Sequence, residues 1–351
     1  MAADPNGAED LLGERALNRA LLARQLLLER EELTLPQALE RMGTLQAQYA
    51  PSMYVGLWSR VAGFERDALT RALERREVVQ GTLMRATIHL VSADDYWPLA
   101  LGVREPRRTA WLRVARRGLT EAEVASAAER VRTALAEGPL RRREIAALLG
   151  DKILANGVGM WLDLVRVPPS GTWERRRADL YDLAERWLGP PEASVEDGRE
   201  RLVRRYLEGL RPGTRRRRGE LGGTARGRGR AHRAGTRLRT LREQRGAEPL
   251  DLPDALLPDP ETPAPVRFLP TWDASLLVHA RRTGILPEEQ RPKIFNTKTP
   301  QSVATFLVDG RVAGTWRWDR GMVRIEPFGR LDRATRTALD EEAEGLAHLH
   351  R

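Results

Sequence analysis

The sequence predicts an α+β protein that is mainly helical, built from tandem winged-helix units with a β-rich C-terminal region. Amphipathic helices are followed by a β-hairpin, and the same order of elements then recurs along the chain. Near the C-terminus the hydrophobic period changes to that of strands around an Asp-Gly turn. The predicted divisions are a flexible tail (1–12), a first winged helix (13–117), a second (118–192), a third (193–250) and an α+β C-terminal region (251–351).

The first unit contains clear helix and strand signals. One helix is predicted over 17–29, a second after the capping box Thr34-Leu35-Pro36-Gln37, and a third over 65–76. Strands follow at 78–79 and 82–91 with a turn near Gly81, and Ser92 is a good N-cap for the next helix. Helices followed by such a hairpin are the plan of a winged helix.

Two glutamines, Gln46 and Gln48, stand at the predicted end of the second helix. Residues two apart on a helix point about 200° apart, so these amides can converge only if the helix ends there. Pro51 favours that ending because it disfavours helical geometry at Ala50. Beside Tyr49, such a pair could hold a water or the edge of a base. The spacing by itself is more often that of two surface glutamines.

The second unit repeats the plan. Thr120 opens a helix that runs to Ala136, and further helices are predicted over 140–149 and 152–164. A strand at 164–167, a Pro/Gly turn and a strand at 172–175 complete a second hairpin. Arg141 and Arg142 lie at the start of the middle helix.

The third unit begins with a helix over 198–208 and then loses its pattern. Residues 211–245 carry 13 arginines and two acids, a net charge of +11 against +10 for the whole chain. The other residues therefore sum to −1, so the basic charge belongs to this window and is weak evidence for nucleic acid. The window is interpreted as a disordered phosphate-binding arm, a solvated loop, or a locally shifted reading frame that leaves a non-functional relative, and all three stay open.

In the C-terminal region the best signal is a hairpin, Val303–Val308 and Arg311–Arg317, around Asp309-Gly310. A strand at 266–269 and a short helix at 273–279 precede it. A strand at 322–326 and an amphipathic helix at 333–348 follow it.

The composition excludes several kinds of site. There is no cysteine, so disulfides and thiolate metal sites are absent. The five histidines lack zinc spacing, and no phosphate loop or dinucleotide fingerprint occurs, so we expect neither metal nor cofactor. No apolar run approaches the roughly 20 residues that span a bilayer, and the N-terminus is no signal peptide. We therefore expect a cytoplasmic protein without a membrane partner, and a monomer.

Two side chains of the first wing are further candidates. Arg85 and His89, as i and i+4 on a predicted strand, share one face, which fits either a DNA contact or a packed polar pair. Asp273, beside Trp272 and near Arg281 and Arg282, fits either a functional site or a buried ion pair, and the ion pair is favoured. Six tryptophans are interpreted as core anchors: Trp111, Trp161, Trp173, Trp187, Trp316 and Trp318.

These segments resemble the AlkZ/YcaQ class of winged-helix DNA glycosylases. The resemblance lies in Leu45-Gln46-Ala47-Gln48, Leu83 to Val91 with Asp94-Asp95, Val165 to Pro169, Phe268 to Asp273 and Val308 to Arg317. It runs from about residue 15 to 349 and is interrupted at 211–245.

The resemblance implies three winged helices around a channel for DNA, with Gln46 and Gln48 as the catalytic pair. It implies excision of N7-alkylated purines, including bulky adducts or crosslinks, from double-stranded DNA by a monofunctional glycosylase. We expect Arg60, Arg85, His89, Arg141 and Arg142 to contact the DNA. The alternative is a non-catalytic winged-helix DNA-binding protein or transcriptional regulator.

Overall fold

The computed structural model describes residues 11–115, 118–210, 212, 238–244, 248–277, 283–295 and 302–351, and the predicted α+β class is confirmed. The helices are α1 (Glu14–Arg24), α2 (Leu35–Met42), α3 (Ala50–Trp58), α4 (Arg66–Glu74), α5 (Ala93–Val114), α6 (Glu121–Ala136), α7 (Arg142–Leu149), α8 (Lys152–Trp161), α9 (Ala184–Leu188), α10 (Val195–Gly209), α11 (Ala274–Leu277), α12 (Arg291–Ile294) and α13 (Arg333–His350). The strands are β1 (Leu11–Leu12), β2 (Leu45–Gln46), β3 (Val78–Thr82), β4 (Ile88–Ser92), β5 (Leu140–Arg141), β6 (Leu164–Arg166), β7 (Leu180–Leu183), β8 (Arg239–Thr240), β9 (Arg242–Glu243), β10 (Leu250–Asp251), β11 (Arg267–Leu269), β12 (Thr305–Val308), β13 (Arg311–Asp319) and β14 (Met322–Pro327).

Helix starts follow the sequence signals. The Thr34 hydroxyl accepts from the Gln37 backbone N–H, and the Gln37 side chain returns to the Thr34 backbone, so the capping box is formed. Thr120 and Glu123 do the same for α6, and Ser92 caps α5 through the Asp95 N–H. Local hydrogen bonding therefore sets these boundaries.

Two stretches of the chain share one order of elements. The first is helix–strand–helix–helix–strand–strand from α2 to β4, and the second is the same order from α6 to β7. In each, the first strand pairs with the last: β2 with β4, and β5 with β7. The two sets join through β3 and β6 into one antiparallel sheet in the order β2-β4-β3-β6-β7-β5.

The junction of the two units is closely packed. Gly81 pairs with Val165 across it, and a Cβ at Gly81 would stand only 2.5 Å from the Tyr96 ring. Arg107, on α5, is buried and donates both to the Thr82 carbonyl on β3 and to Asp163 just before β6. These contacts hold the two units as one body.

The second hairpin differs from the prediction. β6 pairs with β7 at 180–183, and residues 172–175 belong to a loop, so the strand predicted there is wrong. The loop satisfies its own backbone groups instead, with the Ser170 hydroxyl accepting from the N–H groups of Asp179 and Leu180. Side-chain bonds of this kind compete with strand pairing.

The third predicted unit is described only in part. Its helix, α10, crosses α5 where Gly102 meets Gly198, and a Cβ on Gly198 would stand 2.4 Å from the Pro98 carbonyl oxygen. Within the arginine-rich window the described residues include the short strands β8 and β9, and most of the window lies outside the described residues. β9 pairs with β1, so residues 11 and 12 do not belong to a loose tail.

The C-terminal region packs on the first unit. Its sheet has the order β11-β12-β13-β14, and the predicted Asp309-Gly310 turn is confirmed, with φ values of 45° and 75°. Phe268, Phe306 and Trp316 of this sheet share one core with helices α2 to α4 and with α13. This packing sets the backbone around the glutamine segment.

Candidate functional site

The glutamine segment is a strand and not a helix end. Helix α2 stops at Met42 because Gly43 adopts a left-handed conformation, φ 77°. Leu45 and Gln46 then form β2, in which Gln46 pairs with His89. Pro51 lies in the first turn of α3, where proline is favoured, so it starts the next helix and does not end the previous one. The predicted helix terminus at Gln46 is wrong.

Gln46 belongs to β2, whereas Gln48 follows the strand at a bend, so each amide is held by its own neighbours. The Ala47 N–H donates to the Ile88 carbonyl at 2.7 Å, which keeps the segment paired up to Ala47. The Gln46 Oε1 accepts from Arg85 Nη2 at 3.2 Å. The Gln48 Oε1 accepts from the Ile88 N–H at 3.0 Å.

These hydrogen bonds fix the orientation of the amide group of each glutamine. A guanidinium and a backbone N–H can only donate, so each partner must face the amide oxygen. Each oxygen keeps a second lone pair, and each NH₂ group points away from these donors. Gln46 and Gln48 therefore offer both an acceptor and donors from fixed positions.

The two glutamines differ in exposure. Gln46 is 4% exposed, whereas Gln48 is exposed. Gln48 can meet a DNA substrate directly. Gln46 lies beneath Arg85, so the expected open cavity shared by both amides is not formed in this structure.

Arg85 lies on a tight turn between β3 and β4 and not on a strand, so the expected i, i+4 face with His89 is wrong. Arg85 and Ala86 have φ values of 53° and 56°. Non-glycine residues in this region cost on the order of 1–3 kcal/mol each and often occur at functional sites. The turn holds an exposed guanidinium against Gln46.

His89 is buried and not on a DNA-accessible face. Its Nδ1 lies 3.0 Å from the Thr87 carbonyl oxygen, and it lines a cavity of about 40 Å³ together with Arg85 and Arg205. Burial first, and the charge of Arg85 second, lower the pKa of His89 to about 3. The imidazole is therefore neutral at pH 7, and its predicted contact with DNA is not supported by its position.

The burial of His89 predicts a loss of stability in acid. The unfolded chain binds a proton as pH falls through about 6.5, whereas the folded imidazole stays neutral until its pKa of about 3. The stabilisation of the folded chain by neutral His89 is thus complete above about pH 6.5 and is lost as the pH falls below that value. Between pH 7 and 5, His89→Gln should lose about 2 kcal/mol less unfolding free energy than the parent. Urea titration measures this, with exposed His348→Gln as the control; equal losses in the parent and His89→Gln would refute it.

Arg60 is a structural residue, and its predicted contact with DNA is wrong. Its side chain is fully buried, with Nη2 at 3.0 and 2.9 Å from the two Asp273 carboxylate oxygens and Nη1 donating to the Gly56 carbonyl. Arg281 and Arg282 lie outside the described residues. The buried ion pair expected for Asp273 is present, and its partner among the described residues is Arg60, 213 residues away in sequence. A guanidinium held in this way cannot reach a phosphate.

Arg141 and Arg142 are exposed in the second unit. Arg141 pairs with Asp179 at 3.1 Å, and Arg142 donates to the Asn156 side-chain oxygen at 2.6 Å. Arg141 belongs to β5, five strands away from β2 in the sheet, a separation of about 24 Å at the usual strand spacing. The structure therefore does not bring these arginines to the glutamines, and their contact with DNA stays a prediction.

Sequence reasoning missed a buried polar chain behind the motif. Arg166 Nη1 donates to the Ala47 carbonyl at 3.1 Å and to the Gln80 side-chain oxygen at 3.4 Å, and Gln80 donates on to the Gly171 carbonyl. Burial lowers the pKa of Arg166. The only sequence signal was the Val165 to Pro169 segment, and it did not indicate which backbone group Arg166 would hold.

Within the described ranges, no three His, Asp or Glu side chains cluster as a metal site requires. No helix in the same ranges is long and apolar enough to cross a membrane.

Comparisons with known proteins point to one family. The family model described as "DNA glycosylase AlkZ-like" matches residues 39–349. Among solved structures, the DNA glycosylase AlkZ of Streptomyces sahachiroi is similar, with a TM-score of 0.79, 18% sequence identity and coverage of 97% of each chain. At that identity the structural likeness establishes the fold. Comparison with the curated proteins gives no match.

Proposed function

Because the chain belongs to the AlkZ-like family of DNA glycosylases, we propose that it excises N7-alkylated purines from double-stranded DNA, with Gln46 and Gln48 holding the attacking water. DNA repair and DNA binding follow from membership of the family. The lesion class and the roles of the two glutamines are the proposal. One observation carries it: both amide oxygens are fixed by protein donors, Arg85 for Gln46 and the Ile88 N–H for Gln48.

Glutamine side chains are suited to the excision of an N7-alkylpurine. An N7-alkylpurine is already cationic, so when the C1′–N9 bond breaks, its electron pair neutralises the base and leaves an oxocarbenium-like sugar. A water oxygen then bonds to C1′ and loses its proton to solvent. The second lone pair of Gln48 Oε1 can accept one water O–H and so orient the oxygen. Positioning of this kind can supply a large part of the catalysis without a strong base.

Arg85 links the DNA backbone to Gln46 in this proposal. Its guanidinium is exposed and donates to the otherwise buried Gln46 amide. A DNA phosphate that draws Arg85 outwards would uncover Gln46 beside Gln48. This keeps Arg85 as a DNA contact, now with a positioning role.

Two winged helices in one sheet fit the repeated order of elements. The order helix–strand–helix–helix–strand–strand, with the first strand on the last, is that of a winged helix. Here the two hairpins lie back to back, with β3 against β6. The outer edges of the sheet then carry Gln46 on one side and Arg141 on the other.

A monofunctional mechanism fits the lysine positions. A glycosylase that also cleaves the strand needs an amine to form a Schiff base. The sequence has three lysines. Of the two in the described ranges, Lys152 begins α8 and Lys293 lies over the Phe328 ring.

The burial of Gln46 favours a second candidate, a winged-helix protein that binds DNA without cutting it. The two functions separate in one assay. A duplex containing N7-methylguanine is incubated with the protein, and the released base is quantified against the same duplex without protein. We expect accelerated release from the damaged duplex and none from undamaged DNA. Binding without release would reject the glycosylase in favour of the binder.

A further inference from the structure

The loop between β6 and β7, residues 167–179 and here called the arginine loop, lies beside the glutamine segment. Its three consecutive arginines, Arg175, Arg176 and Arg177, are all exposed. Arg176 Nη1 lies 3.4 Å from the Tyr49 hydroxyl oxygen, and Tyr49 directly follows Gln48 in the chain. The loop therefore borders the more exposed half of the site.

The arginine loop is held in shape by its own bonds. The Ser170 hydroxyl donates to the Arg177 carbonyl at 2.9 Å, and the Gly171 N–H donates to the Arg175 carbonyl at 2.8 Å. Trp173 is 5% exposed, packs edge-on against Tyr54 and donates its backbone N–H to the Tyr54 hydroxyl. A loop fixed in this way loses little freedom when it binds a ligand.

The three arginines differ in how their charge is balanced. Arg177 Nε lies 2.6 Å from an Asp179 carboxylate oxygen. Arg175 and Arg176 form no ion pair with any carboxylate in the described ranges, and Arg176 lies over the Trp173 ring. Two cations of the loop are thus left for an anion from outside, whereas Arg177 shares the Asp179 carboxylate with Arg141.

The Tyr49 hydroxyl adds a donor at the same place. It is accepting from Arg176, so its own O–H is free to donate elsewhere. Tyr49 is 42% exposed. A tetrahedral anion with several acceptor oxygens can take both the guanidinium fork and this hydroxyl.

We propose that Arg175, Arg176 and Tyr49 form a phosphate-binding site that holds the DNA backbone next to the nucleotide presented to Gln48. The inference rests on the proposed function for the identity of that nucleotide. The phosphate contact itself needs only DNA binding. Arg177, paired with Asp179, lies outside the site.

The test is a salt titration of binding to an undamaged duplex. Each phosphate contact contributes about 0.9 to the slope of log K against log salt concentration. The double variant Arg175→Ala/Arg176→Ala should lower the slope by about 0.9 and weaken binding about tenfold near 0.1 M salt, and Arg176→Ala alone should lower both quantities by part of that amount. Tyr49→Phe should weaken binding with an unchanged slope. Arg177→Ala is the matched control, with little change expected in either quantity.

Arg176→Lys separates a phosphate contact from a structural role, because it keeps the charge and loses the fork. Compared with Arg176→Ala, the lysine variant should restore most of the salt slope but not the affinity. Equal slopes for the parent and Arg176→Ala would overturn the site, as would an equal loss from Arg177→Ala. Base release is measured separately on the parent protein. If the variants change binding as expected but the parent releases no base, the proposed excision is rejected and the phosphate site is retained.

Discussion

Gln48→Ala is expected to lower the rate of N7-methylguanine release by about 100-fold at saturating protein. The exposed Gln48 amide is fixed by the Ile88 N–H, so it can orient a water without reorganising. Losing one preorganised polar group or misplacing a reactant by about 1 Å costs about 10²-fold in rate. Single-turnover kinetics on a duplex with one lesion measures the effect. Unfolding midpoints of both proteins show that the variant folds.

Gln46→Ala should produce a loss of the same order, and the double variant should lose little more than either single one. Residues that hold one water act as a unit, so their effects are not additive. The control is Gln244→Ala, an exposed glutamine at the end of β9. Full release from both site variants would remove the glutamines from the mechanism. A loss confined to Gln48 would assign Gln46 to packing alone.

Asp273→Ala is expected to lower the unfolding free energy by about 3–5 kcal/mol, because it leaves the Arg60 charge buried without its partner. Both side chains have no exposure in the folded chain. The pair also joins α3 to the segment after β11, so its loss weakens the contact between the first unit and the C-terminal region. Urea unfolding measures the change.

The double variant Arg60→Met/Asp273→Leu is the informative comparison. Removing both charges leaves no unpaired charge, and the Ser275 N–H loses its Asp273 acceptor in both variants, so the double variant should be more stable than Asp273→Ala. Glu288→Ala, which breaks the exposed pair with Arg291, should leave the midpoint nearly unchanged. A small effect of Asp273→Ala would mean that water reaches Arg60 and that the pair does not hold the two regions together.

Elements set by neighbouring residues could be predicted from the sequence. The Thr34 capping box, the Asp309-Gly310 turn and helix α13 all depend on contacts within a few residues. The interpretation of Trp173 and Trp316 as core anchors is likewise confirmed by their burial. For the capping box, the turn and α13, the signal and its physical cause lie in the same short stretch.

The site depended on contacts that the sequence does not display. Gly43 is the local signal that ends α2 at Met42, whereas Pro51 belongs to the start of α3. The burial of Arg60 needed Asp273, and the turn that aims Arg85 at Gln46 needed the pairing of β2 with β4. Resemblance identified the glutamines, but only the fold distinguishes the enclosed one from the open one.

The continuous sheet has a consequence for how a duplex is engaged. Because β3 pairs with β6 and Arg107 ties the same junction, the two hairpins cannot swing apart. The strands that carry Gln46 and Arg141 are then held five strand spacings apart, about 24 Å, which corresponds to about seven base-pair steps of B-form DNA. A DNA duplex that contacts both outer strands of the sheet must therefore adapt its own shape to the protein, and the free energy of bending or opening is a cost to the DNA.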